Sequence, residues 1–174
     1  MDDLSLAAEL VRDAGGLARR MLQEGLTTHY KTSVSDVVSA ADHAAEALVV
    51  ERLTAERPDD GLVGEEGAES PGERTWYIDP VDGTYNFLSG LPYWCSAIGL
   101  IDHDGPLLGA VYYPARDELW VGGRDRPTTL NGVPVATPAR STEAEPSIRT
   151  VAAAPTADRQ DATRGSSRRC RGWK

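Results

Sequence analysis

Apolar residues at Leu4, Ala7, Ala8, Val11, Ala14, Leu17, Ala18, Met21 and Leu22 recur every three or four positions, one face of a helix about twenty residues long. Gly15-Gly16 weakens its middle, and Gly25 is expected to end it. Residues 27–38 are polar and irregular. Ser39 with Asp42 reads as a capping pair for a second helix, whose apolar face uses Ala41, Ala44, Ala45, Leu48, Val49 and Leu53. Pro58 closes that helix, and Asp59-Asp60-Gly61 turns into a short apolar pair, Leu62-Val63. Residues 68–74 read as a surface loop. Residues 76–78 predict a short buried strand, with the chain turning at Pro80. Thr84 is placed to cap a short helix through Asn86 and Phe87. Apolar runs at 94–101, 107–113 and 119–121 predict three more strands, and Asn131-Gly132 between Leu130 and Val133 is a two-residue hairpin signal. Strands in direct succession pair antiparallel. The pattern therefore predicts an α+β fold, two helices on one face of a largely antiparallel sheet.

Two acids, Asp79 and Asp82, stand at the end of the 76–78 strand, followed by Gly83, which permits close approaches that a side chain forbids. Alone, two acids beside a proline and a glycine are usually an ordinary turn. Gly64-Glu65-Glu66-Gly67, after Leu62-Val63, changes that reading. If both strands end at one edge, Glu65 or Glu66 comes beside Asp79 and Asp82. Gathered like charges repel, and cations make such a cluster tolerable. Free N–H groups at the start of the following helix would face a phosphate.

Asp79-Pro80-Val81-Asp82-Gly83-Thr84, with Asn86-Phe87 behind it and Gly64-Glu65-Glu66 ahead, resembles the signature of the inositol monophosphatase family, Mg²⁺-dependent and Li⁺-sensitive phosphomonoesterases. Lys31, Asp36, Ser39 and Asp42 match the family's Lys…Asp-x-Val-Thr-x-x-Asp segment, with Ser39 in place of Thr. The likeness runs from about Leu4 to about Pro138. It implies the N-terminal portion of a layered αβαβα sugar-phosphatase sandwich. It also implies a phosphoric monoester hydrolase that uses a metal-activated water. In that scheme Asp79 bridges two Mg²⁺ ions, Glu65 and the Val81 carbonyl join it on the first, and Asp82 serves the second. Thr84, oriented by Asp36, helps take the water's proton with Glu65 nearby, and the N–H groups of Gly83 and Thr84 hold phosphate. Glu66 reads as a supporting residue, and Lys31 and Asp42 carry no direct chemistry.

The family's second half carries a Trp-Asp motif that completes the second metal site, and no Trp-Asp pair occurs here. Residues 140–174 hold eight basic and four acidic side chains, against 10 basic and 23 acidic before them. The chain thus divides into residues 1–138, family-like, and residues 139–174, a non-family-like basic tail expected to be disordered. A truncated or frame-shifted gene product is expected, with turnover at least roughly a hundredfold below a complete homologue. The strands from 94 to 121 are apolar on both faces, so one face is expected to need cover.

A length of 174 residues with 40% hydrophobic content is enough for a core. A net charge of −9 argues against nucleic acid, no run of eighteen apolar residues suits a membrane, and the acidic start Met1-Asp2-Asp3 does not resemble a secretory signal. The cytoplasm is the expected compartment, and the two cysteines are not expected to pair. His29, His43 and His103 read as surface residues. The partner is a small phosphorylated metabolite, and a complete fold would allow a homodimer. Inositol monophosphate is the first substrate reading, with histidinol phosphate and 3′,5′-bisphosphorylated nucleotides as rivals. The competing readings are a non-catalytic remnant and, less favoured, nucleic-acid binding through the basic tail.

Overall fold

Asp2 starts the first helix: its carboxylate accepts the Ser5 N–H at 2.8 Å and its carbonyl the Leu6 N–H at 3.0 Å, satisfying donors that a helix N-terminus leaves open. The structure, a computed structural model, describes residues 1–27 and 34–136, with the side chains of residues 25–27 and 34–39 left out. Helix α1 spans Asp3–Thr27 and α2 spans Val34–Glu56. Lys31 and His29 fall outside the described residues. Asp36 and Ser39 belong to the start of α2, but nothing is described of their side chains.

Both helices begin or end elsewhere than the sequence predicts. α1 runs through Gly25, since a helical glycine costs only about 1 kcal/mol and does not forbid the conformation. α2 starts at Val34, which puts Ser39 and Asp42 inside the helix rather than at its cap. The spacing Val34, Val38, Ala41, Ala45, Val49 already follows the helical period, and the polar residues between these positions hide it.

Among the described residues the strands form one eight-stranded sheet in the order β2-β1-β3-β4-β5-β6-β7-β8. They are β1 (Gly61–Gly64), β2 (Glu69–Ser70), β3 (Thr75–Asp82), β4 (Cys95–Asp102), β5 (Gly105–Tyr113), β6 (Glu118–Gly123), β7 (Arg126–Leu130) and β8 (Val133–Pro134). Every neighbouring pair is antiparallel except β1 and β3. The segment expected as a loop contributes β2, a two-residue edge strand. β3 does not stop at Pro80. Its register with β4 shifts between Asp79 and Asp82, and such an irregularity is where a strand tolerates a residue without an N–H. The Asn131-Gly132 turn has φ of 49° and 80°, the positive pair that a two-residue hairpin of this kind requires.

Alternation sorts the sheet's two faces. Trp76, Ile78, Ile98, Leu100, Ala110 and Val121 are buried in one core with Leu6, Leu10 and Ala14 of α1 and Ala45, Val49 and Leu53 of α2. On the opposite face Val63 of β1 and Tyr77 of β3 remain 37% and 46% exposed. Trp76 is fully buried, and its indole N–H donates to Asp60 at 2.8 Å. Asp60 also accepts from Arg74, and Arg74 and Arg57 both donate to Asp3, so this network ties the start of α1 to β3. The two arginines hold the Asp3 carboxyl below its usual range even though burial pushes the other way. No helix among the described residues is long and apolar enough to cross a membrane.

Gly15 sets how closely α1 approaches the sheet. A Cβ there would lie 3.0 Å from Pro114, 3.1 Å from the Tyr112 ring and 3.3 Å from Ser96. Gly15→Val should therefore overpack the joint and destabilise the fold by roughly 1–3 kcal/mol. Urea unfolding reads this directly, and an unchanged midpoint would show that the joint is loose.

Candidate active site

The parallel pairing of β1 and β3 puts Gly64, the last residue of β1, opposite Ile78, so the acids that follow Gly64 come beside the acidic end of β3. The Glu65 N–H donates to the Ile78 carbonyl at 3.1 Å, immediately before Asp79. The two acidic motifs thereby meet, setting Glu65 beside Asp79. Asp79 is pushed up to about 7, first by burial, then by the adjacent Glu65 carboxyl and the charges of Asp82 and Asp42.

α2 supplies a fourth acid. Asp42 is 3% exposed and likewise pushed up to about 7, by burial first and then by Glu66, Glu65 and Glu46, with His43 opposing. Asp42 Oδ1 and Asp79 Oδ1 are both buried and have no hydrogen-bond partner among the described residues. Buried carboxylate oxygens are rarely left so, because each forfeits its hydration for nothing. Hard oxygen donors carrying excess negative charge are what a divalent cation of the Mg²⁺ type takes. The residues present fit such an ion.

Asp82 is exposed at the end of β3, and its Oδ2 lies 3.6 Å from the Cys95 sulfur, a weak S–H donor. Cys95 is buried, and burial with the Asp82 charge lifts its thiol to about 12. It is inert rather than nucleophilic.

Helix α3 (Thr84–Leu88) begins after Gly83, whose φ of 95° and ψ of 40° place it in the left-handed region. A Cβ at Gly83 would also come 3.0 Å from the Tyr93 carbonyl. Gly83 therefore caps the helix by its backbone, its carbonyl accepting from Asn86 at 2.8 Å and Phe87 at 3.0 Å. The expectation that Thr84 caps it is corrected: Thr84 is the first helical residue, and its hydroxyl donates back to the Val81 carbonyl at 3.2 Å. A glycine free to turn left-handed displaced the better side-chain cap.

Glu65, Asp79, Val81, Asp82, Gly83 and Thr84 thus lie along one edge, while the side chain of Asp36 lies outside the described residues. Sequence reasoning gave Asp42 no chemistry and passed over Glu46. Their signal was present: two acids four residues apart on the apolar face, between Ala41, Ala45 and Val49. Glu66 faces α2, with His43 Nδ1 2.5 Å from its Oε2. Among the described residues one other acidic group is tighter: Asp102, His103 and Asp104, in the β4–β5 turn, have ligand atoms within 4.8 Å of one another. Asp102 there already accepts from Arg124 at 2.7 and 3.2 Å, which holds its carboxyl below the usual range.

Residues 2–169 match the family model described as the inositol monophosphatase family. An inositol monophosphatase of Mesembryanthemum crystallinum is 34% identical over 140 residues, 77% of this chain and 52% of the relative. A histidinol-phosphatase of Chlorobaculum parvum is 39% identical over 140 residues, 76% of this chain and 52% of the relative. The solved inositol monophosphatase of Zymomonas mobilis superposes with a TM-score of 0.67 at 35% identity, covering 79% of this chain and 53% of that one. The chain spans about half the length of the curated relatives it matches. With the signature motifs meeting at one edge of a matching sheet, the chain belongs to the inositol monophosphatase family, a family of metal-dependent phosphatases.

Proposed function

We propose that the β1–β3 edge holds Mg²⁺ and hydrolyses a small phosphate monoester, with inositol monophosphate as the substrate. The pair of buried oxygens without partners, Asp42 Oδ1 and Asp79 Oδ1, carries this reading. Histidinol phosphate is the second substrate reading, favoured by the 39% identity to a histidinol-phosphatase.

Asp79, Glu65, Asp82 and the Val81 carbonyl would hold the cation. When bound, it polarises the phosphoryl group and lowers the pKa of water. The chain's own residues do the rest. Glu65 stands beside Asp79 and can accept a proton. Thr84, held by one long bond to Val81, positions a water through its hydroxyl, the role in which the family resemblance pairs it with Asp36. The N–H groups of Gly83 and Thr84, at the start of α3, receive phosphate oxygens. Asp42, buried behind Glu65 and Glu66, adds negative charge that favours cation uptake.

Thr84→Ala should slow turnover by roughly 10²–10⁴ while leaving Mg²⁺ affinity within about threefold, and Thr84→Ser should recover part of the rate. Equal losses of rate and affinity would make Thr84 part of the metal site instead. The reading itself is tested by phosphate release from inositol monophosphate and from histidinol phosphate, with and without Mg²⁺. Mg²⁺-dependent release from either supports it, and the faster one names the substrate. Mg²⁺ binding without release would leave a cation site and remove the catalysis.

A further inference from the structure

Glu46 is an acid in a place that disfavours acids. It is 5% exposed, on the core side of α2, and its charge adds to the repulsion that already lifts Asp42. A carboxylate buried among other carboxylates costs stability unless strong hydrogen bonds compensate. Glu46 has two. Its Oε2 accepts the Glu66 N–H at 2.8 Å and its Oε1 accepts the Ala68 N–H at 3.0 Å.

Both amides belong to the turn that leaves β1. The same turn is closed by the Gly64 N–H donating to the Ala68 carbonyl at 2.7 Å. Glu65 lies inside it. Its own N–H is held by Ile78, and the next N–H along is held by Glu46, so its backbone is fixed on both sides. Gly64 makes room for this. A Cβ there would come within 2.5 Å of both Glu46 carboxylate oxygens, so only glycine lets the acid lie against the end of the strand.

We propose that Glu46 is a positioning residue: with Gly64 as its seat, it locks the Gly64–Ala68 turn so that Glu65 presents its carboxylate beside Asp79. This rests on the reading of that edge as a Mg²⁺ site. Glu46 touches neither cation nor substrate. It acts through the backbone of the residue that does.

The test compares the full chain with Glu46→Ala, Gly64→Ala, the double variant and Glu46→Gln. Two readouts are taken: hydrogen exchange of the Glu66 and Ala68 amides without metal, and calorimetric Mg²⁺ affinity. In Glu46→Ala both amides should exchange at least about tenfold faster, and the Mg²⁺ Kd should rise roughly 10–100-fold, the usual effect of removing a group that orients a ligand. Gly64→Ala keeps every charge but displaces the carboxylate, so it should reproduce both losses. The double variant should be no worse than Glu46→Ala, because the two changes break one device. Glu46→Gln keeps the shape and one acceptor oxygen. It should free one amide and lose less affinity, which covers the case in which Glu46→Ala fails to fold.

Unchanged exchange at Glu66 and Ala68 overturns the proposal. So does freed exchange with unaltered Mg²⁺ affinity. Equal affinity losses in Glu46→Ala and Glu46→Gln with none in Gly64→Ala would show that only the charge matters, and would also overturn it. A parent chain that binds no Mg²⁺ refutes the metal reading instead, while the exchange rates still decide whether Glu46 holds the turn.

Discussion

Asp79→Asn should weaken Mg²⁺ binding at least roughly a hundredfold, about 2.7 kcal/mol, and at the same time raise the melting temperature of the metal-free chain by about 5 °C. The two effects have one origin. Asp79 combines burial, an oxygen without a partner, and the nearby charges of Glu65, Asp82 and Asp42. Without a cation every one of these disfavours its ionised form. Asparagine removes the charge, keeps the shape, and offers an amide N–H to the neighbouring Glu65 carboxylate. Sites that hold a ligand at the expense of the fold commonly show this exchange of stability for function. Circular dichroism melts with and without Mg²⁺ would show both halves. A variant that melts lower without metal would mean that Asp79 is structural, and one that still binds Mg²⁺ tightly would remove it from the site.

The metal-free chain should also lose stability as pH rises from 5 to 8, opposite to the usual behaviour of carboxylates held in ion pairs. Unfolded aspartates titrate near 4. In the fold, Asp42 and Asp79 titrate at about 7. The folded state therefore binds more protons than the unfolded one across this window, so the stabilisation present below the unfolded pKa is lost as pH climbs through the folded value. Asp42 faces Glu46, Glu65, Glu66 and His43, while Asp79 faces Glu65, Asp82 and Asp42. Only His43 opposes the trend. Asp3 moves the other way, but its lowered pKa acts below the window. We expect the melting temperature at pH 8 to lie at least about 5 °C below that at pH 5, and saturating Mg²⁺ to remove most of the difference, because a bound cation takes the place of the protons. Stability that is flat or rises over this range, without metal, would contradict the crowding of unpaired acids.

What the sequence revealed and what it hid follow from the same physics. β-strand alternation and the Asn131-Gly132 turn are local signals, and the antiparallel run from β4 to β8 could be read from them. The meeting of Glu65 with Asp79 was readable because two short strands each end in acids. Asp42 and Glu46 were passed over although they sit among Ala41, Ala45 and Val49, since a periodicity reading assigns charged residues to the solvent side of a helix. Here they are the inner side, held there by a neighbouring strand end that no local pattern announces. Pro80 misled for a similar reason: as a local signal it ends a strand, and only the pairing with β4 shows an irregularity that accommodates it. Thr84 was the better capping residue by type, but the left-handed Gly83 before it had already turned the chain.

We propose that the acids at the ends of β1 and β3 form a divalent-cation site. Calorimetric titration of the metal-free chain with Mg²⁺ at pH 7.5, alongside Asp79→Asn, tests it most directly. Saturable binding by the parent, lost in the variant under the same conditions, is the expected result. Heats no larger than dilution in the parent, or equal binding by both proteins, would contradict it.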